Sequence, residues 1–254
     1  MAELDLVMPM AGRGSRFERE GFALPKPLIA LHGQPFFWWA VQSLASKVAL
    51  GRLVFVVLRE HVERFGLDRQ ILARYPRARI VALDEVTQGA AQTAALGVQA
   101  LGDSQAPLAI NDCDHAFDAG GLGPTLQALH DGRAHAALLG FRSTSPAFSY
   151  VRFDGDGRVV GTVEKQPASP FAIAGCYLFA RASAFLAHYE AYRDACPYPE
   201  LFVSGLYNTL LAAGGTVLFH ELGQHVPFGT PAELQRVGPD SLDFIGASGA
   251  AARP

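Results

Sequence analysis

Residues 4–27 read LDLVMPMAGRGSRFEREGFALPKP, and this stretch decides how the rest of the chain is read. Leu4–Met8 is a short apolar run with sharp ends, the pattern of a buried strand. Asp5 is its one polar member, which a strand tolerates near the end of a sheet. The run breaks into Pro9-Met10-Ala11-Gly12-Arg13-Gly14-Ser15-Arg16. Two glycines let the backbone turn sharply and leave amide N–H groups uncovered, so the loop can cradle phosphate oxygens. Arg16 adds a positive fork for the same oxygens. Lys26 follows between Pro25 and Pro27, and the two rings predict that its ammonium is presented from a stiff, extended segment.

Two stock phosphate-binding motifs are excluded. A Walker loop ends in Gly-Lys-[Ser/Thr], which is missing here. The dinucleotide fingerprint needs a third glycine where this chain has Phe17. Taken alone, a strand, two glycines and two cations fit an ordinary β–α turn as well as a phosphate site.

The run Pro9 to Phe17 followed by Leu24-Pro25-Lys26-Pro27-Leu28 resembles the signature of the sugar-phosphate nucleotidyltransferases, also called nucleoside-diphosphate-sugar pyrophosphorylases. Their pattern is G-x-G-[ST]-R followed by P-K-P. The resemblance implies that Ala11, Gly12, Gly14 and Ser15 hold the nucleotide and that Arg16 and Lys26 are the catalytic cations.

Half of the 254 residues are hydrophobic and 18% are charged, so a sizeable core is expected, and the length suits one α/β domain with elaborations or at most two small ones. We expect a single domain over residues 1–240 and a C-terminal tail over 241–254, frayed from about Ser248. The net charge is −3, with no basic stripe, which argues against nucleic acid as a partner. Phosphates would then be met by local cations and a metal. Cys113, Cys176 and Cys196 are distant and odd in number, so a reducing cytoplasm fits best. No signal peptide or membrane span is expected. Association into a homo-oligomer is left open.

Further along, Phe36–Ser46 reads as a helix whose aromatics pack in the core, and Arg52–Leu58 as a strand. A helix over 60–74 and a strand at Arg79–Leu83 continue parallel βαβ units. A helix of small residues is expected to open at Thr87-Gln88-Gly89 and run to about Leu101. Here the spacing alone favours a packed helix start capped by Thr87, whereas the resemblance places this segment beside the nucleobase, with Gln88 and Gly89 as nucleotide-binding residues. Ala106–Ile110 reads as a strand running into Asn111-Asp112-Cys113-Asp114-His115, where open α/β sheets place their chemistry. Mg²⁺ needs one or two carboxylates there besides phosphate oxygens. By resemblance the metal ligand is Asp114, with Asp112 second. Cys113 reads as a buried filler, and His115 carries no role.

A helix at Gly123–Asp131 and a strand at Ala134–Phe141 precede a β-hairpin over Tyr150–Val163, turning at Asp154-Gly155-Asp156-Gly157. Glu164-Lys165 and Ala174-Gly175-Cys176-Tyr177-Leu178-Phe179 resemble the family's second signature, V-E-K followed by A-G-x-Y-x-F. It implies that Lys165 contacts the acceptor phosphate, Glu164 a sugar hydroxyl, and Gly175 gives the ring room. Helices over 182–192 and 201–213 and a strand over 216–219 lead to a segment like the family's D-I-G-T-P-E-D-L. There Pro227 stands where a second metal-binding Asp is usual, leaving Glu221 or His225 as substitutes or one carboxylate fewer.

The implied fold is a Rossmann-like mixed, mainly parallel sheet with helices on both faces, of the glycosyltransferase-A type. The implied reaction transfers NMP from an NTP to a sugar 1-phosphate and releases pyrophosphate. A cytidylyltransferase of a phosphorylated non-sugar such as phosphocholine, and a non-catalytic nucleotide or sugar-phosphate binder, stand as alternatives.

Overall fold

The strand expected at the head of the chain forms as β1 (Leu4–Met10) in a computed structural model that describes residues 3–246. It runs two residues past Met8, through Pro9. Its neighbour on one side pairs with it only as far as Val7, so at Pro9 that side is an edge where a missing N–H costs nothing. Asp5 is buried and satisfied: its carboxylate accepts from the Arg52 N–H (2.7 Å) and the Ser104 hydroxyl (2.5 Å).

The short helix α1 (Ser15–Arg19), the β2–β3 ribbon (Ala30–Leu31, Gln34–Pro35) and α2 (Phe36–Ala45) follow. β4 (Leu50–Leu58) comes next, then α3 (Arg59–Phe65) and α4 (Leu67–Leu72). One helix was expected over 60–74; the chain divides it at Gly66, whose φ of 62° cannot continue an α-helix. β5 (Arg79–Leu83), α5 (Ala90–Leu101), β6 (Leu108–Asn111), β7 (His115–Phe117) and α6 (Gly123–His130) complete the first half. The second half holds β8 (Ala136–Arg142), the hairpin β9 (Ser149–Phe153) and β10 (Val159–Glu164), and β11 (Phe171–Phe179). It ends with α7 (Ala182–Ala195), α8 (Gly205–Ala212), β12 (Val217–Glu221), β13 (His225–Pro227) and α9 (Pro231–Leu234).

Nine strands form one mixed sheet with the path β10-β9-β11-β6-β1-β4-β5, and β8 joins β11 to β12. β6, β1, β4 and β5 are parallel. β11 is antiparallel to β6, β8 and β9, so it welds the parallel half to the hairpin half. Strand alternation assigns the two faces. Leu4, Leu6, Met8 and Met10 join Phe37, Val41 and Leu44 of α2 in one core, while Val7, Val54 and Val56 join α5, α7 and α8 in the other. The aromatic run at the start of α2 is core, as expected: Phe36 and Phe37 are fully buried, each worth roughly 2–3 kcal/mol. The small residues of α5 serve mainly this packing. Ala91, Ala94 and Ala95 are buried, and a methyl built on Gly97 would overlap Val7 and Val56.

A third cluster gathers Phe17, Phe36 and Phe228 with Leu242 and Ile245. Packed chain therefore continues past the boundary expected at residue 240. The tail from Ser248 lies outside the described residues.

Candidate active site

At the carboxyl ends of β1 and β6 opens a cleft of about 480 Å³. Ala11, Gly12, Gly14, Ser15 and Arg16 form one wall, and Lys26 and the carboxylates Asp112 and Asp114 form the floor. Gly14 has φ 67°, and a methyl on it would stand 3.0 Å from Lys26 Cβ. Only glycine lets the loop lie this close to the lysine. Lys26 was expected on an extended segment. Only Pro25 is extended; Lys26 opens a 3₁₀ turn closed by Leu28 N–H to Pro25 O (2.8 Å) and Ile29 N–H to Lys26 O (3.2 Å).

Lys26 Nζ donates to Asp114 Oδ2 at 2.7 Å. Burial works against the lysine's charge, but the Asp114 carboxylate outweighs it and raises the pKa above the usual lysine value. Burial likewise opposes the charge on Asp114, and Lys26 overcomes it to hold that carboxyl below its usual range. Asp112 goes the other way. Burial first, then the Asp114 charge, pushes its carboxyl up to about 7, and among the described residues no side-chain hydrogen bond reaches it. Behind the two, burial draws His115 down to about 4 and His225 well below its usual value. The buried Cys113 thiol is pushed up to about 12 by the same cause, which suits an inert filler.

The Asp112 shift has a sign that can be measured. A carboxyl raised in the folded state binds an extra proton there, so its contribution to stability is present below about pH 4 and lost as pH rises through about 7. Without divalent ions, the melting temperature of the wild type should fall between pH 5 and 8 relative to that of Asp112→Asn. Parallel melting curves for the two would contradict the shift.

The expected acceptor-side residues lie beside this cleft, not in its lining. Gly175, at φ 70°, accepts the Asp112 N–H at 2.9 Å, and a methyl on it would stand 2.9 Å from Asp112 Oδ2. Glu164 Oε1 accepts from the Ser149 hydroxyl (2.6 Å) and from the Ser204 hydroxyl. Lys165 holds φ 54°, rare for a residue with a side chain, and its ammonium lies 5.4 Å from the ring centre of Phe202, which does line the cleft. Gly89 lines the cleft but Gln88 does not. The Gln88 N–H is taken by Gln92 Oε1 at 2.7 Å. Thr87 does not cap α5 as expected; its hydroxyl bonds Gly89 O and Thr93 Oγ1 (2.9 and 2.6 Å), and the helix starts at Gly89 without a side-chain cap.

Residues 7–216 match the nucleotidyl transferase family. The chain belongs to that family. The chain is 30% identical over 173 residues to the bifunctional enzyme IspD/IspF of Nitratidesulfovibrio vulgaris, across 63% of its own length and 40% of the relative's. It is 27% identical over 183 residues to a glucose-1-phosphate thymidylyltransferase of Streptomyces antibioticus, across 67% and 48% of the two chains. The matched stretch thus spans less than half of either relative. The crystal structure of the nucleoside-diphosphate-sugar pyrophosphorylase from Vibrio cholerae RC9 is similar over 94% of this chain and 99% of that one, with a TM-score of 0.79 and 25% identity.

Among the described residues there is no cluster of three or more His, Cys, Asp and Glu side chains able to hold a metal. The substitutes considered for a second Asp fail on geometry. Glu221 is ion-paired to Arg142 at 3.0 Å, and His225 is bonded to His115 at 3.2 Å and stacked on Phe141. Neither lines the cleft. Asp112 and Asp114 nevertheless fit a hard cation that shares its shell with phosphate and water, because both line the cleft and Asp112 lacks a donor. Sequence reasoning missed Glu200 and Phe202, brought into the cleft by the loop before α8. Leu201 pairs with Gln88 O and the Ala91 N–H there (3.0 and 2.8 Å). It also missed Glu233, since a methyl on the cleft residue Gly229 would stand 2.4 Å from Asp114 Oδ2 and 3.6 Å from Glu233 Oε2. No motif spacing announces the first contact, whereas Gly229 and Glu233 both lie in the segment that resembles D-I-G-T-P-E-D-L.

Proposed function

We propose that this protein is a nucleotidyltransferase that passes NMP from an NTP to a sugar 1-phosphate and releases pyrophosphate. The observation that carries the reading is the convergence of Arg16, Lys26, Asp112 and Asp114 on one cleft at the carboxyl ends of β1 and β6. The similarity to a glucose-1-phosphate thymidylyltransferase supports the acceptor class. We read residues 3–246 as one catalytic domain. Among the described residues no helix is long and apolar enough to cross a membrane, and the three cysteines are free. Both facts support action in the cytoplasm.

The acceptor's phosphate has its second pKa near 6 and is largely dianionic at neutral pH, so no general base is required. Its oxygen attacks the α-phosphorus, and the bond to the bridging oxygen breaks to release pyrophosphate. Arg16 and the amides of the Gly12–Ser15 loop orient the triphosphate. Lys26, turning from Asp114, meets the charge that grows at the α-phosphoryl oxygens. Asp114, with Asp112, would hold Mg²⁺, which when bound supplies neutralisation of phosphate charge. Lys165 holds the attacking phosphate and Glu164 a sugar hydroxyl. The positive φ of Lys165 supports this role, since such strain gathers at ligand sites.

The test is pyrophosphate release from a matrix of NTPs and phosphorylated acceptors with Mg²⁺. Release with sugar 1-phosphates bears the reading out, release only with a phosphorylated non-sugar moves the acceptor class, and none from any pair overturns the enzyme.

The cleft should also be two-sided. Arg16→Ala should weaken NTP binding about tenfold or more, the value of a hydrogen bond to a charged group, and leave the acceptor nearly unchanged. Lys165→Ala should do the reverse, because an ion pair is screened beyond about 8–10 Å at ordinary salt. Calorimetry of each substrate alone checks this, and equal losses for both in both variants would mean one shared anion site.

A further inference from the structure

The two carboxylates of the cleft floor sit on a three-residue loop whose flanking residues are joined behind it. Asn111 ends β6 and His115 begins β7, and their side chains meet at 2.9 Å, Asn111 Oδ1 to His115 Nε2. This contact closes a ring around Asp112-Cys113-Asp114. Asn111 is fully buried, and His115 is 3% exposed.

The hydrogen bonds of Asn111 set the donors along the chain as far as His225, whose Nδ1 is buried without a partner. Asn111 Nδ2 donates to Ala40 O of α2 at 2.9 Å, which turns its Oδ1 toward His115. An amide oxygen only accepts, so the His115 proton is on Nε2. In the neutral ring Nδ1 is then a bare acceptor. His225 Nε2, 3.2 Å away, must be its donor. His225 is held in turn by stacking on Phe141, with ring centres 3.9 Å apart. The chain runs from β13 through β7 and β6 to α2. The backbone of the loop is fixed at both ends as well, by Asp112 N–H to Gly175 O and by Phe228 N–H to Asp114 O, each 2.9 Å.

We propose that Asn111, His115 and His225 are positioning residues for the cleft floor: their hydrogen-bond chain clasps the loop in the one conformation that offers both carboxylates to a single divalent cation. The inference rests on the reading of Asp112 and Asp114 as metal holders. The physical need is plain. Two like charges two residues apart repel, and a loop free to relax would splay them. A clasp in the dry core does not exchange with water, so it holds the loop firmly. None of the three residues touches substrate; they act through the loop, as the partners behind metal ligands do.

The test uses the full chain and Mn²⁺ alone as the probe, read by water-proton relaxation. Asn111→Leu with His115→Phe removes the Asn111–His115 contact together with both of its polar partners; His225 Nε2 loses its acceptor in this variant, so a melting curve first establishes that it folds. We expect Mn²⁺ to bind about 10–100-fold more weakly, with faster hydrogen exchange at the Asp112 and Phe228 amides. His115→Gln keeps a donor for Asn111 Oδ1 and should bind within about threefold of wild type, on the same scale. A double variant that folds and binds Mn²⁺ as the wild type does, whatever its amide exchange, overturns the clasp. A wild type that takes up no Mn²⁺, or an Asp114→Asn variant that binds it unchanged, overturns the metal-holder reading itself, and the clasp with it.

Discussion

Lys26→Ala is expected to lower turnover about 10²- to 10³-fold, the usual loss when one group aimed at developing charge is removed. The protein should stay folded. The Lys26 side chain is 27% exposed and belongs to a turn that lines the cleft, and backbone hydrogen bonds from Leu28 and Ile29 hold that turn. Asp114 would lose its partner, but at 23% exposure it can be reached by water. Turnover should therefore fall far more than the affinity for NTP, because the lysine acts on charge that appears only during transfer. Single-turnover kinetics with a melting curve check this. A folded variant with near-normal turnover would remove Lys26 from the mechanism.

Asp114→Asn should be the other severe change, costing about a hundredfold or more in activity at fixed Mg²⁺. The substitution keeps volume and a hydrogen-bond acceptor for Lys26, yet removes the charge a hard cation needs. It also removes the like charge beside Asp112, so the Asp112 carboxyl should titrate lower in this variant. Raising Mg²⁺ should recover part of the lost activity if Asp112 remains as a ligand. Full activity of the wild type in a chelator would sink the metal assignment. Loss confined to Asp112→Asn would move the principal ligand to the neighbour, the carboxylate that has no donor.

Strands and helices with strong periodicity were legible because burial imposes period 2 or 3.6 on the residues themselves. β1, α2, β4, α5 and the β9–β10 hairpin all form where they were expected, and the glycine loop lies beside Lys26 in the cleft lining. The helix expected over 60–74 failed at Gly66 because a single left-handed residue outweighs a continuous apolar pattern.

The sequence by itself determined the order of α and β elements, the loop at Gly12–Arg16 and the two carboxylates at the end of β6, since each is written in adjacent residues. The tertiary structure alone decided which distant groups meet. It paired Lys26 with Asp114 across 88 positions, turned His225 onto His115 across 110, and folded the loop carrying Glu200 and Phe202 over the cleft. It left Gln88 outside the cleft lining and withdrew Glu221 into an ion pair with Arg142. Such pairings depend on sheet order, and above all on β11 running antiparallel between β6 and β8. Strand order is fixed by the packing of the whole core, so no local spacing along the chain encodes it.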